Sequence, residues 1–206
     1  MSEQPRWVPL DEGSLDADPF VAFEEWFAAA GELVREPEAI AVATADASGQ
    51  PSLRMVLLRA RDERGYCFFT NYESHKGRDL AENPKGALLW YAEPLGRQIR
   101  IEGPVERLSD AESDEYFASR PRGHQLGAHA SDQSRPIADR HQLEEAVLEV
   151  TARFEGRDVP RPTHWGGYRL VPERFEFWQH REDRLHDRVV YVPASGGGWR
   201  RSRAQP

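Results

Sequence analysis

The sequence predicts an α+β fold in which about seven or eight antiparallel strands form a barrel with three or four helices at its periphery. The strand-like segments are short and apolar, and the turns between them are too short to contain a crossover helix. The chain shows no βαβ alternation and no glycine-rich dinucleotide or P-loop fingerprint, so the common nucleotide-binding folds are not expected. A length of 206 residues favours one compact domain.

The composition limits the partners and the compartment. The net charge of −8 and the isoelectric point of about 5.4 argue against nucleic acid or an anionic membrane as the main partner. The N-terminus has no apolar stretch typical of a signal peptide, and no apolar run approaches the ~20 residues that cross a bilayer. We therefore expect a cytoplasmic protein without a membrane partner. Cys67, the single cysteine, is expected to be a buried thiol, and neither cysteine nor histidine spacing indicates a metal site.

Two parts of different character precede the first strand. Residues 1–17 are polar and contain proline and acidic residues, and we expect a mobile arm there, followed by a single domain over 18–206. Asp18-Pro19 predicts a helix start, because aspartate caps free N–H groups and proline fits the first helical position. Apolar residues then recur at helical spacing at Phe20, Phe23, Phe27, Ala30 and Val34. This helix is expected to end near residue 36.

Short apolar segments separated by turns form the next part of the chain. Strands are predicted over residues 40–45, 52–59, 66–70, 87–91 and 98–108, with a short helix over 74–82. The turns at 46–49 and 62–65 contain aspartate and glycine, which favour tight reversals. Strands joined in this way form an antiparallel meander.

The C-terminal half combines two further helices with the last strands. Ser109 and Glu112 have the capping-box spacing, which predicts a helix that runs to about residue 120. Residues 121–138 are expected to be irregular, because they are rich in Gly, Ser, Pro and His. A longer helix follows, with an apolar face at Leu143, Val147, Val150 and Phe154. Strands are predicted over 165–171, 175–179 and 184–192, with a last short strand around Trp199.

The segment Arg184-Leu185-His186-Asp187-Arg188 is the strongest candidate for a binding site. Alternate side chains of a strand share a face, so Arg184, His186 and Arg188 are predicted to point to one side. Two guanidinium groups beside an imidazole suit a phosphate, a carboxylate or an electron-rich ring. The pattern also fits a solvated strand face in which Asp187 pairs with a neighbouring arginine.

Two further segments carry cations next to apolar residues. Arg54 and Arg59 bracket an apolar strand, but residues five apart face opposite sides, so one pocket uses both only if the strand is bulged or ends there. Ser74-His75-Lys76 opens a predicted helix, whose N-terminus offers free N–H groups to an anion. Exposed strand-end arginines and a plain helix cap are the alternatives.

Tyr116 and Arg120 lie four residues apart near the end of the helix predicted to start at Ser109. They share one face of that helix and can jointly hold one phosphate. A helix C-terminus neutralised by arginine explains the same residues equally well. Each of these segments is therefore ambiguous when it is taken alone.

Taken together and in order, the segments resemble the pyridoxine/pyridoxamine 5′-phosphate oxidase family. The matching stretches are Arg54-Met55-Val56-Leu57-Leu58, Phe68-Phe69-Thr70-Asn71, Arg97-Gln98, Tyr116-Phe117-Ala118-Ser119-Arg120-Pro121-Arg122, Gln125-Leu126-Gly127-Ala128, Gln133-Ser134, Trp165-Gly166-Gly167-Tyr168-Arg169, Glu176-Phe177-Trp178-Gln179 and Arg184-Leu185-His186-Asp187-Arg188. They extend over most of residues 18–206, and nine such stretches in order make the resemblance specific.

The resemblance implies a split β-barrel homodimer with FMN at the subunit interface. It also implies a pyridoxal 5′-phosphate synthase, which oxidises pyridoxamine or pyridoxine 5′-phosphate and reduces O2 to H2O2. The implied FMN contacts are Arg54, Met55, Val56, Leu57, Leu58, Arg59, Phe69, Thr70, His75, Lys76, Gln98, Gln133, Ser134, Trp178 and Arg188. The implied substrate contacts are Arg59, Tyr116, Arg120, His124, Arg184 and His186, of which Arg184 and His186 are the expected catalytic residues.

Four departures from the family pattern bear on the substrate more than on FMN. Arg59 stands where the family usually has lysine, His124 where a serine is frequent in the phosphate pocket, and His75 where an arginine is frequent at the FMN phosphate. The N-terminal arm lacks the Arg-x-x-Tyr element that covers the substrate in some members. The alternatives are a related flavin oxidase of a dihydrophenazine and a non-catalytic protein that binds flavin or a vitamin-B6 phosphate.

Overall fold

Ten strands form one antiparallel sheet that curls into a half-barrel in this computed structural model, which describes residues 8–206. They are β1 (Ala39–Ala45), β2 (Pro51–Leu57), β3 (Ala60–Asp62), β4 (Gly65–Asn71), β5 (Lys85–Ala92), β6 (Arg97–Arg107), β7 (Trp165–Leu170), β8 (Arg174–Gln179), β9 (Asp187–Pro193) and β10 (Trp199–Arg203). The order along the sheet is β10-β9-β8-β6-β5-β1-β2. The long strand β6 pairs with β8 through its first half and with β7 through its second, and β7 in turn pairs with β4. The predicted antiparallel architecture is confirmed.

Five helices accompany the sheet in residues 8–206: α1 (Pro19–Ala30), α2 (His75–Glu82), α3 (Asp110–Ser119), α4 (Arg122–Ala130) and α5 (Arg140–Arg153). The predicted caps are present, because Asp18 accepts a hydrogen bond from the Phe20 N–H at 2.9 Å, and Ser109 and Glu112 form a reciprocal capping box. α1 ends at Ala30 instead of near residue 36. Within the described part of the chain, no helix is both long and apolar enough to span a bilayer.

The core on one face of the sheet is largely aromatic. Phe175 and Phe177 of β8 are fully buried and pack edge-on against Tyr66 and Tyr191. Each such ring removes roughly 150–250 Å² from water, so the cluster contributes strongly to stability. Because side chains alternate along a strand, the residues between and after these two phenylalanines face the other side of the sheet. Cys67 is a buried free thiol, as predicted.

The N-terminal segment packs against the last strands over residues 8–17. Its buried side chains are Leu10 and Leu15. The Leu10 N–H donates to the Asp187 carboxylate at 3.1 Å, which ties the segment to β9. Two leucines therefore anchor residues 8–17 to the sheet although the overall composition of the segment is polar, and the expected mobility of the arm stays a prediction. Residues 1–7 lie outside the described residues, and the division into an arm and one domain over 18–206 stays a prediction.

The expectation of an irregular segment over residues 121–138 is wrong in its first half, where α4 forms. α4 contains two glycines and has no side-chain cap at Pro121, so neither propensity nor capping marks it in the sequence. Tertiary packing stabilises it instead, since Leu126 is buried and the helix lies against α5. Residues 131–138 are irregular, as expected.

The strand predicted over residues 184–192 begins at Asp187. Antiparallel pairing of Gln179 with Asp187 leaves residues 180–186 to reverse the chain, and they include a 3-10 turn (Glu182–Arg184). Asp183 and Arg184 have φ values of 53° and 61°, which a strand does not allow. The prediction that Arg184, His186 and Arg188 share a strand face is therefore wrong, because only the last of the three lies in the strand.

Candidate active site

A cleft between β2, β4, α2 and α3 collects eleven of the predicted site residues in a cavity of about 230 Å³. It is lined by Met55, Val56, Leu57, Arg59, Phe69, Thr70, Lys76, Tyr116, Arg120, His124, Gln133 and Trp165. Arg59, Lys76 and Arg120 are cations, and the lining contains no carboxylate, so we name it the cationic cleft. A second cavity of about 470 Å³ adjoins it, and six residues line both: Phe69, Thr70, Arg120, His124, Gln133 and Trp165. The charge of the lining favours an anionic ligand.

The end of β2 brings Arg59 into the cationic cleft. β2 stops at Leu57, and the Leu58 side chain turns into the core, where it is 2% exposed. The Arg59 N–H donates to the Cys67 carbonyl oxygen at 2.9 Å, which fixes the chain after the strand. A pocket could use both Arg54 and Arg59 only if the strand were bulged or ended between them. The strand does end between them, at Leu57, and Arg59 enters the cationic cleft.

Arg54 does not line the cationic cleft. Its guanidinium donates to the Thr44 hydroxyl at 2.7 Å and also to Ser52, and both hydroxyls donate to the Asp79 carboxylate, at 2.6 and 2.7 Å. Burial alone would raise the pKa of Asp79, but the hydrogen bonds from Thr44 and Ser52 hold it below its usual value. His75 lies on the exposed side of Asp79, with 3.4 Å between its Nε2 atom and the carboxylate. The predicted FMN roles of Arg54 and His75 stay predictions.

Lys76 is a buried cation at the start of α2. Ser74 caps this helix, and the Lys76 ammonium donates to Thr70 at 2.8 Å and to Ser74 and Gln133 at 3.2 Å. These partners are uncharged. Burial, and then repulsion from Arg54, lower the pKa of Lys76 from 10.5 to about 8. The site therefore holds a positive charge whose compensation by a ligand would be favourable.

Three nearly parallel rings form one wall of the cationic cleft. Phe69 and Tyr116 stack with 3.8 Å between their centroids, and Trp165 lies 5.7 Å from Phe69 at an interplanar angle of 16°. We call these three rings the aromatic wall. The Arg120 guanidinium lies over Trp165 at 4.5 Å from the ring centroid. Its Nη1 atom is buried and has no hydrogen-bond partner among residues 8–206.

A second group of predicted site residues lies on neighbouring strands farther along the sheet. Gln98 of β6, Trp178 of β8 and Arg188 of β9 are register partners, so they form a row across one face. The His186 ring lies 4.5 Å from the Trp178 ring. We call Gln98, Trp178, Arg184, His186 and Arg188 the Trp178 cluster. None of the five lines the cationic cleft of the same chain.

A buried carboxylate orients Arg188. The Glu176 side chain is 3% exposed and accepts hydrogen bonds from Arg100 at 2.7 Å, Arg188 at 2.8 Å and Arg174 at 3.3 Å. Burial opposes ionisation of Glu176, but the hydrogen bond from Arg188 and the charge of Arg100 hold its pKa below the usual value. Arg188 is thereby fixed in the row with Trp178.

The backbone sets the proton position on His186. The Arg181 N–H donates to His186 Nδ1 at 3.1 Å, so the neutral ring carries its proton on Nε2. Burial, followed by His180 and Arg184, lowers the pKa of His186 from 6.5. Arg184 is exposed and has no ion pair within the part of the chain that the structure describes. Asp187 pairs with Arg181 and Arg203.

Comparison with known proteins gives the same family for both parts of the chain. Residues 28–154 match the family model described as pyridoxamine 5′-phosphate oxidase, and residues 165–206 match the pyridoxine 5′-phosphate oxidase C-terminal dimerisation region. A pyridoxine/pyridoxamine 5′-phosphate oxidase from Burkholderia mallei is 52% identical over 200 residues, which cover 96% of this chain and 93% of that protein. The chain belongs to the pyridoxine/pyridoxamine 5′-phosphate oxidase family.

Solved structures agree with this assignment. PhzG from Burkholderia lata 383, in complex with tetrahydrophenazine-1-carboxylic acid, has a TM-score of 0.90 and 34% identity, covering 98% of this chain and 100% of PhzG. A pyridoxamine 5′-phosphate oxidase-related, FMN-binding protein from Nostoc punctiforme has a TM-score of 0.73 at 15% identity, covering 91% of this chain and 98% of that one. The second likeness concerns the fold alone. Together they confirm the predicted split barrel.

The matched dimerisation region of the pyridoxine/pyridoxamine 5′-phosphate oxidase family contains most of the Trp178 cluster, whereas most of the cationic cleft lies in the matched N-terminal part. The predicted residues outside the cleft are Arg54, Leu58, His75, Gln98, Ser134, Trp178, Arg184, His186 and Arg188. Sequence reasoning gave no role to Trp165, Asp79 or Glu176. For Trp165, the sequence signal was the pair of glycines that follow it. Consecutive glycines in a strand mark a place where other groups pack closely against the backbone.

Proposed function

We propose that this chain is an FMN-dependent oxidase that converts pyridoxine 5′-phosphate and pyridoxamine 5′-phosphate to pyridoxal 5′-phosphate. Two hydrogens leave the substrate and O2 becomes H2O2; with the amine, one water is also consumed and ammonia is released. The observation that carries the proposal is the cationic cleft, which combines three cations with no carboxylate. Such a lining suits a phosphate ester, which is a dianion with several acceptor oxygens.

The residues around Lys76 fit the phosphate of FMN. The hydrogen-bond partners of this ammonium are the neutral groups of Thr70, Ser74 and Gln133, and a buried charge without a counter-ion is costly. A phosphate group would supply the missing negative charge, with support from the N-terminus of α2. When bound, FMN supplies the acceptor for the hydride that leaves the substrate.

A second group of residues in the cationic cleft fits the phosphate of the substrate. Arg120 carries an unpartnered donor there, and Arg59, Tyr116 and His124 line the same space. Binding energy at this remote phosphate orients the reacting carbon of the substrate. Arg59 and His124, which depart from the family pattern, are both donors, so they preserve the anionic preference of the cleft.

In this proposal the Trp178 cluster acts at the cationic cleft of a second copy of the chain. The edge strand β2 exposes Leu53, Met55 and Leu57, and Tyr91 of β5 is 52% exposed. Large apolar side chains gathered on one sheet face indicate an interface, and the match to a dimerisation region agrees with it. In such a homodimer, the Trp178 cluster of one subunit completes the cationic cleft of its partner.

Arg184 and His186 are the residues proposed to contact the substrate ring. Arg184 is exposed without an ion pair among residues 8–206, so its donors remain for a ligand. His186 presents Nε2–H as a donor, because its Nδ1 atom already accepts the Arg181 N–H. These two groups hold the ring and its substituents in place; Arg188, fixed by Glu176, is proposed to contact FMN.

The similarity to PhzG supports a second candidate, an oxidase of a dihydrophenazine-type substrate. The proposed phosphate-binding residues argue against this candidate, because a tricyclic substrate without a phosphate group would not need Arg59, Tyr116 and Arg120. A non-catalytic protein that binds flavin or a vitamin-B6 phosphate is a third reading. The presence of both Arg184 and His186 argues against that one.

Substrate oxidation in air separates the three candidates. Purified protein is incubated with FMN and pyridoxamine 5′-phosphate, and pyridoxal 5′-phosphate and peroxide are measured. We expect both products in equal amounts. Bound FMN that stays oxidised when the substrate is added without O2 would refute the proposal. A reduced dihydrophenazine carboxylate serves as the competing substrate, and its faster oxidation would favour the PhzG-like candidate.

A further inference from the structure

We infer that Trp165 is a positioning residue that holds the Arg120 guanidinium in place for the substrate phosphate. The inference rests on the proposed function. Trp165 is the first residue of β7, is 6% exposed, and lies under Arg120 at 4.5 Å from guanidinium carbon to ring centroid. Its ring is within 8° of parallel to the ring of Tyr116, which is proposed to contact the phosphate.

Arg120 is held differently from Arg161 and Arg169, two other shielded arginines. The side chains of Arg161 and Arg169 are 9% and 8% exposed, and each pairs with two carboxylates. Arg120 has no ion pair within residues 8–206, and its Nη1 atom is buried without a partner. An aromatic face attracts a cation without neutralising it and without occupying its N–H donors. Arg120 therefore keeps both its charge and its donors for a ligand anion.

The electrostatic environment of Arg120 agrees with this arrangement. Burial lowers the pKa of Arg120, and the charge of Arg59 acts in the same direction, while Tyr116 opposes it. Two guanidinium groups near each other are unfavourable until an anion lies between them. The Trp165 ring, at 4.5 Å, is nearer to the Arg120 guanidinium than the Phe117 ring, at 5.6 Å, so it is the main contact that keeps Arg120 beside Arg59.

Hydrogen bonds hold the backbone of Trp165, and its ring packs between neighbouring aromatic side chains. The Trp165 carbonyl oxygen accepts a hydrogen bond from Arg161 at 2.7 Å, and its N–H donates to the Pro162 carbonyl oxygen at 3.0 Å. At Gly166, a Cβ atom would lie 2.0 Å from the Tyr72 hydroxyl oxygen. Any larger residue at this position would require the Tyr72 side chain to move, which shows how tightly the start of β7 is packed.

Discrimination between a phosphorylated and an unphosphorylated substrate tests the inference. In the FMN-loaded enzyme, Trp165→Leu should lower kcat/KM for pyridoxamine 5′-phosphate about tenfold, mainly through a higher KM. The value for pyridoxamine, which has no phosphate, should change by less than about twofold. Trp165→Phe keeps an aromatic face and should restore most of the loss. Equal losses for both substrates would mean that Trp165 only supports the fold, and would overturn the inference.

Trp26→Phe is the matched control. Trp26 is 4% exposed and carries Arg97 on its face at 4.6 Å, but neither residue lines the cationic cleft. This variant should leave the preference for the phosphorylated substrate unchanged. If Trp165→Leu does not fold, Arg120→Lys is compared in the wild-type and Trp165→Met backgrounds, because methionine fills the space of the ring without an aromatic face. Fully additive effects of the two substitutions would then overturn the inference.

A binding measurement separates failure of this inference from failure of the proposed function. If the wild-type enzyme does not oxidise pyridoxamine 5′-phosphate, the proposed function fails. The FMN-loaded proteins are then heated with and without inorganic phosphate. A rise in melting temperature that is present in the wild type and absent in Trp165→Leu supports the role of Trp165. An equal rise in both proteins, or no rise in either, overturns it.

Discussion

We expect the buried charge of Lys76 to destabilise the FMN-free protein, and its replacement by methionine to remove that cost. Burial and Arg54 lower the pKa of Lys76 from 10.5 to about 8, and at 1.36 kcal/mol per pKa unit this difference corresponds to about 3 kcal/mol at neutral pH. Loss of the Lys76 hydrogen bonds offsets about 1 kcal/mol of the gain. We therefore expect Lys76→Met to raise the free energy of unfolding of the FMN-free protein by about 2 kcal/mol at neutral pH, while it abolishes FMN retention.

The gain has a defined dependence on pH. Below a pH of about 8 the ammonium is charged in both the folded and the unfolded protein, so the cost of burying it is complete. Above 10.5 the group is neutral in both states and the cost disappears. The advantage of Lys76→Met should therefore be largest at neutral pH and decrease steadily as the pH rises from about 8 to 10.5.

Urea unfolding of the FMN-free proteins, followed by tryptophan fluorescence at neutral pH and at a pH between 8 and 10.5, measures this effect. Lys85→Met is the matched control, because Lys85 is the other lysine of the chain and is exposed at the start of β5. It should change stability by less than about 0.5 kcal/mol. Flavin fluorescence reports FMN binding. A Lys76→Met protein that is less stable at neutral pH, or whose advantage is independent of pH, would refute the reasoning.

Three further outcomes follow from the proposed site. Arg184→Ala should lower kcat about tenfold or more while FMN retention is unchanged, measured by steady-state kinetics and flavin absorbance; equal losses would assign Arg184 to the cofactor. kcat/KM should decrease as the pH falls below 6.5 and His186, whose pKa is lowered, becomes protonated. The added proton on Nδ1 would oppose the Arg181 N–H, which donates to that atom in the neutral ring. A pH profile that is unchanged over this range would contradict the assigned tautomer. Met55→Asp should weaken self-association about tenfold or more in sedimentation experiments, and an unaffected dimer would place the interface elsewhere.

The sequence predicts best those elements whose signals are local. The caps at Asp18 and Ser109 and the alternating strands are present in the structure because side chains near in sequence decide them. Most residues of the cationic cleft were also predicted, since a family resemblance carries their order along the chain. α4 has no such local signal, because it contains two glycines and has no side-chain cap. Its packing against α5 explains why this segment is helical.

The geometry of the site depends on contacts between distant residues, which a linear pattern does not contain. The turn at Asp183 and Arg184 requires positive φ values at two non-glycine residues, so strand alternation gave the wrong orientation. The hydrogen bonds of the Arg54 guanidinium to hydroxyl groups on β1 and β2 were not predicted, and its role at the cofactor stays a prediction. No role was predicted for Trp165, because nothing in the sequence shows that the Arg120 guanidinium lies on its ring.

The separation of the cationic cleft from the Trp178 cluster within one chain has a genetic consequence in the proposed dimer. A chain that lacks Arg120 and a chain that lacks Arg184 are each expected to be strongly impaired alone, but a mixed dimer contains one site in which both arginines are intact. Random pairing makes about half of the dimers mixed, so co-expression should restore about a quarter of the wild-type activity. Two recessive alleles at this one locus would then complement each other, whereas two alleles that both damage the cleft would not.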